Sequence, residues 1–276
     1  KPIPPIFFTK MTGAGNNFLF YDARTEAQTE ALTLNFMNTS RSEIAQKLCN
    51  KNFGIGADGF VFVLNTSSTS DLAWEFYNAD GSSAEMCGNA ARCMGLYAGN
   101  ELQKNEISFD TIAGTIHAEV LSHSSVTVEM PKIIDEIKKF KLDILKESFD
   151  IELVNSGVPH AVLEINFDEY DNLELLAQHI RFNEAFKPEG ANATCYKVHE
   201  PGKIISASYE RGVEEFTFAC GTGAVAAAYA YCIKSKWNKP VVVQVPGGVL
   251  IVDFSGDRPK MTGPAAYIAR IEYIGE

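Results

Sequence analysis

The chain carries near-copies of one cysteine motif about half its length apart: Glu85-Met86-Cys87-Gly88-Asn89-Ala90-Ala91 and Phe218-Ala219-Cys220-Gly221-Thr222-Gly223-Ala224. The separation of 133 positions also lays Glu75-Phe76-Tyr77-Asn78 on Ser208-Tyr209-Glu210-Arg211, and Ala113-Gly114-Thr115-Ile116 on Pro246-Gly247-Gly248-Val249. A strand, a Cys-Gly turn, an apolar helix and a strand around glycine therefore recur as one unit, and the spacing predicts two homologous halves. The boundaries expected are 1–131 and 132–264, with 265–276 returning to the first half. The fold class is α/β in the broad α+β sense, two pseudo-symmetric domains.

At 276 residues, with 46% apolar and 21% charged side chains, the chain can bury one large core or two medium ones, so disorder is excluded. A formal charge of −11 and a pI near 5.0 exclude a nucleic-acid partner, which needs a basic surface. The longest apolar run, from Ala219 to Ile233, is broken by Gly221, Thr222 and Gly223 and falls short of the roughly 20 residues of a membrane span. No membrane association is expected. The opening Lys1-Pro2-Ile3-Pro4-Pro5 does not read as a signal peptide, and a cytoplasmic location follows as an expectation. Six cysteines without Cys-x-x-Cys spacing, and no histidine at ligand spacing from them, argue for free thiols and against a metal site.

Strand patterns cover Ile6–Thr9, Asn17–Asp22, Phe60–Leu64, Ala73–Asn78, Thr111–Leu121, Val126–Met130, Ile151–Val154, His160–Ile165, Ala193–Val198, Ile204–Glu210 and Tyr267–Tyr273. A first helix is expected at Arg41–Asn50, where Ser40 and Glu43 have capping-box spacing, and another at Leu173–Ile180. The Ala-rich segments Gly88–Ala98 and Gly221–Ile233 are apolar nearly all round, the mark of a helix buried on every side, and each is expected at the centre of its half, wrapped by strands. The charged stretch Pro131–Phe149 reads as the crossover between halves.

Each motif cysteine falls where a strand gives way to a buried helix. A helix N-terminus offers unpaired N–H groups and partial positive charge, which favour thiolate over thiol and attract anions. Two such ends converging on one cleft could hold a carboxylate, with one thiolate removing the α-proton and the opposing thiol protonating the other face. The converging N–H groups would stabilise the enolate-like charge most strongly in the transition state. Neither a metal nor a pyridoxal group is demanded by that chemistry, so no cofactor is expected.

Cys49, Cys93, Cys195 and Cys232 lack the duplicated context and read as small core residues. Gly13-Ala14-Gly15 and Cys220-Gly221-Thr222-Gly223 are only weak phosphate-loop patterns. His160, after a Gly-x-Pro turn at the start of an apolar strand, is a candidate partner for a thiolate. Glu210 and Arg211, on the strand leading to Cys220, point to opposite faces, so at least one faces the cleft.

These residues together resemble the diaminopimelate epimerase family of cofactor-independent two-cysteine enzymes. The most specific pieces are Gly15-Asn16-Asn17-Phe18, Gly54-Ile55-Gly56-Ala57-Asp58-Gly59, Asn78-Ala79-Asp80-Gly81-Ser82 through Met86-Cys87-Gly88-Asn89, Tyr209-Glu210-Arg211-Gly212 and Ala219-Cys220-Gly221-Thr222-Gly223. The resemblance spans essentially the whole chain. It implies two like domains, each a mixed sheet curled around a central helix, with the substrate in the cleft between them. It also implies inversion of one α-carbon of diaminopimelate, between the LL and meso forms, on the route to lysine and peptidoglycan. By motif match Cys87 and Cys220 would be the acid/base pair, with His160 supporting Cys87 and Glu210 supporting Cys220. Gly88, Asn89, Gly221 and Thr222 would bind the reacting carboxylate. Asn16, Asn78, Asn192 and Arg211 would read the distal end, with Glu210 near the ammonium.

Three positions depart from the family pattern. Val158 stands for an asparagine and Asn17 for an aspartate, and the segment from Glu210 to Cys220 is one residue longer, which predicts a bulged strand before Cys220. These departures bear on selectivity rather than on the thiols. Two competing readings are a racemase for another amino acid on the same scaffold and, from a different class, a thiol-redox protein or non-catalytic amino-acid binder. The sequence leaves the oligomeric state open, a homodimer among the options, and the only other partner expected is a small amino-acid substrate.

Overall fold

The computed structural model describes residues 3–84, 86–134, 136–167 and 170–274; Glu85 of the first motif and Asp135 of the expected crossover lie outside the described residues. The backbone forms two compact units, Lys1–Val128 with Pro264–Glu276, and Glu129–Gly263.

The first unit contains β1 (Ile6–Gly13), β2 (Asn16–Asp22), α1 (Glu26–Asn35), α2 (Arg41–Cys49), β3 (Gly59–Leu64), β4 (Leu72–Asn78), α3 (Gly88–Leu102), β5 (Glu106–Thr111), β6 (Gly114–Ser122) and β7 (Ser125–Glu129). The second contains β8 (Lys138–Ile144), β9 (Glu147–Asn155), β10 (Pro159–Glu164), α4 (Leu173–Arg181), β11 (Asn192–Glu200), β12 (Lys203–Tyr209), α5 (Gly221–Ser235), β13 (Val241–Val245), β14 (Gly248–Asp253) and β15 (Lys260–Pro264). The last strand, β16 (Ala266–Tyr273), pairs antiparallel with β1 in the first unit.

The first unit's strands run in the order β16-β1-β2-β3-β4-β5-β6-β7, and the second unit's in the order β8-β9-β10-β11-β12-β13-β14-β15. In the first, only β2/β3 and β4/β5 are parallel. In the second, only β10/β11 and β12/β13 are. The sheets thus repeat strand by strand and pairing by pairing, with the chain's last strand taking in the first unit the place of β8 in the second. Parallel neighbours need a crossover, and a helix supplies each: α1 and α2, then α3, in the first unit; α4, then α5, in the second.

The duplication is preserved to the residue around the motif. Helices α3 and α5 are both 15 residues long, both are N-capped by the motif cysteine, and both close on a left-handed residue, Gln103 and Lys236, again 133 apart. Beyond that point the register slips by one. The β5/β6 hairpin closes on Thr111 and Gly114, and the β13/β14 hairpin on Val245 and Gly248, so Gly114 corresponds to Gly248 rather than to Gly247.

Other sequence expectations need correction. Thr111–Leu121 is not one strand but the end of β5, a turn and β6. The stretch Pro131–Phe149 is not a bare crossover, because its alternating Lys-Phe-Lys-Leu segment forms β8 against β9. Helix α1 was hidden because only Ala31 and Leu32 of its ten residues are buried; its Thr25–Gln28 capping box was the signal present. The Ser40–Glu43 box does start α2, which ends at Cys49.

The first unit's core is aromatic. Phe60, on a strand buried on both faces, packs its ring 5.7 Å from Phe8 and 4.5 Å from Phe62. Phe60→Ala should destabilise the protein by about 3–5 kcal/mol, read as a lowered urea midpoint with turnover per folded molecule unchanged.

Candidate active site

In the second unit the site grows from the start of α5. Cys220 is 8% exposed, and its sulfur accepts the amide of Gly223 at 3.4 Å and lies 3.5 Å from Thr222 Oγ1. The Glu210 carboxylate also lies close enough to this thiol to act on it. The helix start was expected to favour thiolate here. Burial, and then the Glu210 charge, push the Cys220 thiol well above its ordinary range, outweighing Thr222 and the Gly223 amide. Burial likewise raises the Glu210 carboxyl, although the hydroxyl of Thr217 and the Cys220 thiol favour its charged form.

Glu210 and Arg211 are not strand residues. Strand β12 ends at Tyr209, and the chain turns through Gly212 and Glu214, both at positive φ, before Tyr209 bridges to Phe216. The extra residue before Cys220 is therefore absorbed by a tight turn rather than a strand bulge. The amide of Glu214 donates to Glu210 O at 2.8 Å, and the Thr217 hydroxyl donates to Glu210 Oε1. Strand geometry could not have placed Glu210; the turn folds its carboxylate back to the sulfur.

His160 is wholly buried on β10. Its Nδ1 lies 2.8 Å from Thr194 Oγ1, its Nε2 lies 3.0 Å from Thr222 Oγ1, and Asn192 Nδ2 is 3.4 Å from Nε2. Thr194 continues to Ser208 Oγ at 2.9 Å, and Ser156 Oγ donates to Thr222 O at 2.8 Å. Asn192 Oδ1 accepts the amide of Arg211 at 2.7 Å. One polar network thus joins His160, Asn192, Thr222, Cys220, Glu210 and Arg211. Sequence reasoning named all six but missed Ser156, Thr194, Ser208 and Thr217. The signal was available: Asn192 with Thr194, and Ser206 with Ser208, repeat at period two with the apolar Ala193 and Ala207 between them.

Burial drives His160 down to about 3, with Arg211 adding to the effect. Its folded value lies below its unfolded one, so the unfolded chain gains a proton first as pH falls. Stability should be lost from about pH 6.5 toward pH 3, by roughly 1.4 kcal/mol per unit at most, and His160→Gln should flatten that slope in urea titrations at successive pH values.

The first unit repeats the helix start with different neighbours. Cys87, half-buried, caps α3, and Gly88 and Asn89 begin it. Asn89 Oδ1 accepts Arg92 Nη2 at 2.7 Å. A Cβ on Gly13 would fall 2.6 Å from Asn89 O, so this glycine lets the β1/β2 hairpin, whose second strand begins at Asn16, sit against the helix start. Asn78 ends β4 and donates to Ser82 Oγ at 3.0 Å. The backbone amide of Asn17 donates to Asp58 Oδ2 at 2.8 Å. Sequence reasoning missed Arg92, whose charge is invisible in an Ala-rich helix until its burial is known.

All six cysteines are free thiols. Among the described residues, no group of three or more His, Cys, Asp or Glu could hold a metal ion, and no helix is long and apolar enough to cross a membrane.

Paired α/β units of this kind define a class of fold shared with a probable proline racemase from Agrobacterium radiobacter (TM-score 0.69, 15% identity, 98% of this chain and 93% of that one). A PhzF-family phenazine biosynthesis protein from Bacillus anthracis matches as well (TM-score 0.69, 14% identity, 98% and 99%). At those identities the likeness is one of fold. Within the class, the family model for diaminopimelate epimerase matches residues 8–134 and 152–268, and the chain belongs to that family. It is 38% identical to the diaminopimelate epimerase of Aquifex aeolicus over 91% of this chain and 90% of that one, and 33% identical to that of Hydrogenobaculum over 95% and 96%.

Proposed function

We propose that the protein is an isomerase that interconverts LL- and meso-diaminopimelate by two-base proton transfer between Cys87 and Cys220. The single observation that carries the mechanism is the duplicated 15-residue buried helix with a cysteine at its N-cap in each unit. The substrate assignment rests on family membership across nearly the whole chain.

In this reading one sulfur, as thiolate, takes the α-proton, and the C–H electron pair moves into the carboxylate to give an enediolate. The other sulfur, as thiol, then protonates the opposite face and is left as thiolate. The amides of Gly88, Asn89, Gly221 and Thr222 belong to the first helical turns, where N–H groups lack intrahelical acceptors, and they stabilise the charge that develops on the carboxylate. Glu210 keeps the Cys220 proton in place. Neutral His160 holds the Thr222 hydroxyl against Cys220 and is assigned, by family likeness, to support Cys87. Asn16, Asn78, Asn192 and Arg211 read the distal amino-acid end, with Glu210 near the ammonium.

Cys220 acts as an acid in one direction, so that direction is lost as pH rises through its pKa. Removing the neighbouring negative charge lowers that pKa. Glu210→Gln should therefore move the alkaline limb of kcat/KM to lower pH by about one unit, seen by following each direction separately.

The reading is tested by chiral chromatography of diaminopimelate, glutamate, lysine and proline after incubation with the enzyme. Loss of optical purity in diaminopimelate alone is expected. Turnover of another amino acid with none of diaminopimelate would assign the chain a different substrate, as Val158 and Asn17 make worth checking.

A further inference from the structure

The two helix starts are equal in backbone but opposite in buried charge. At the fifth position of α3 stands Arg92; its counterpart 133 residues on, at the fifth position of α5, is Val225. Beside Cys220 stands Glu210; its counterpart in the first unit is Tyr77. Each repeat has thus acquired one ionisable group that the other lacks, a cation in the first and a carboxylate in the second.

Arg92 is wholly buried. Its Nη2 donates to Asn89 Oδ1 at 2.7 Å, its Nη1 to Gly88 O at 3.3 Å and its Nε to Pro264 O at 3.2 Å. Two of those acceptors belong to the first turn of α3, directly after Cys87. The guanidinium therefore fixes which end of the Asn89 carboxamide turns inward and sets the helix start that presents the sulfur. The titratable groups that interact with it are Cys93 and Cys87. Cys93 is buried and pushed up to about 12, so it stays a neutral thiol, with Tyr267 beyond it raised as well. Cys87 is then a group whose negative charge the cation favours. Burial lowers Arg92 itself only to about 10, so it remains charged near neutral pH.

We propose that Arg92 is a positioning residue that poises Cys87 as the resting thiolate and orients Asn89, making the first repeat the base, and the second repeat with its Glu210 the acid, toward the isomer whose α-proton faces Cys87. The proposal rests on the two-thiol reading above. It accounts for how a duplicated scaffold starts each cycle with one thiolate and one thiol rather than two alike: near neutral pH, a cation buried beside one sulfur and a carboxylate beside the other drive their pKa values apart.

The test is the rate at which iodoacetamide alkylates each cysteine, read peptide by peptide by mass spectrometry without substrate, in the full-length protein and in Arg92→Gln and Arg92→Lys. Near neutral pH, Arg92→Gln, which can still donate to Asn89 but carries no charge, should slow Cys87 alkylation about tenfold, the effect of a one-unit rise in pKa. Arg92→Lys should stay within about threefold of the parent, and Cys220 should be unaffected in both. An Arg92→Gln rate for Cys87 equal to the parent's, or equal losses in the Gln and Lys variants, overturns the proposal. Should neither variant fold by circular dichroism, the parent decides: its Cys87 must ionise at lower pH than Cys220, and the reverse order refutes the assignment. The readout needs no turnover. If charge at position 92 governs Cys87 but diaminopimelate is not epimerised, the substrate reading has failed and this inference stands.

Discussion

Serine in place of either Cys87 or Cys220 should lower interconversion of LL- and meso-diaminopimelate by on the order of a thousandfold in both directions, because a hydroxyl neither rests ionised near neutral pH nor donates its proton as readily. The change is nearly isosteric, and Cys220 retains its place beside Thr222 and the Gly223 amide, so the fold should be preserved. The double variant should be little worse than either single one, since the two groups act as a unit. Chiral chromatography from each pure isomer gives the numbers. A single variant that keeps near-parental rates in both directions removes that sulfur from the reaction.

The second large effect is expected beside the reacting sulfur, at Gly223. A Cβ there would fall 2.2 Å from Ser208 Oγ and 3.2 Å from Cys220 Cβ. Ser208 cannot yield freely, because its hydroxyl meets Thr194, which in turn meets His160. Gly223→Ala should therefore cost about 1–3 kcal/mol of stability despite the better helix propensity of alanine, as crowding in a packed site does. It should also displace Cys220 and lower kcat by more than about a hundredfold, as loss of positioning can. Urea unfolding and steady-state rates measure the two effects. A fully active, more stable Gly223→Ala enzyme would contradict the packing described here.

The candidate residues of the second unit that the sequence named, Cys220, Thr222, His160, Asn192, Glu210 and Arg211, lie together in the structure, because the duplication marks the cysteine and the resemblance names its neighbours. What the sequence could not supply is relation in space. Glu210 reads as a strand residue by spacing, yet only the turn through Gly212 and Glu214 brings its carboxylate to Cys220. The helix-end argument treats the two cysteines alike; burial and Glu210 make Cys220 a resting thiol. Strand β8 was concealed by its charged residues, since an edge strand with one face in water keeps lysines without losing its pairing. Helix α1 was concealed by its weak apolar pattern. Arg92 was passed over because a lone arginine in an alanine-rich helix ordinarily reaches solvent.

The central claim, that two groups of opposite protonation state serve opposite faces of one carbon, is tested most directly in heavy water. LL-diaminopimelate is incubated with the enzyme and both isomers are analysed by mass spectrometry at low conversion. The account predicts one α-deuterium in nearly every newly formed meso molecule, because the proton delivered comes from a solvent-exchanged thiol, while the remaining LL isomer stays protiated. Deuterium entering the LL isomer as fast as meso forms would mean that one group serves both faces, and the two-sulfur account would be wrong.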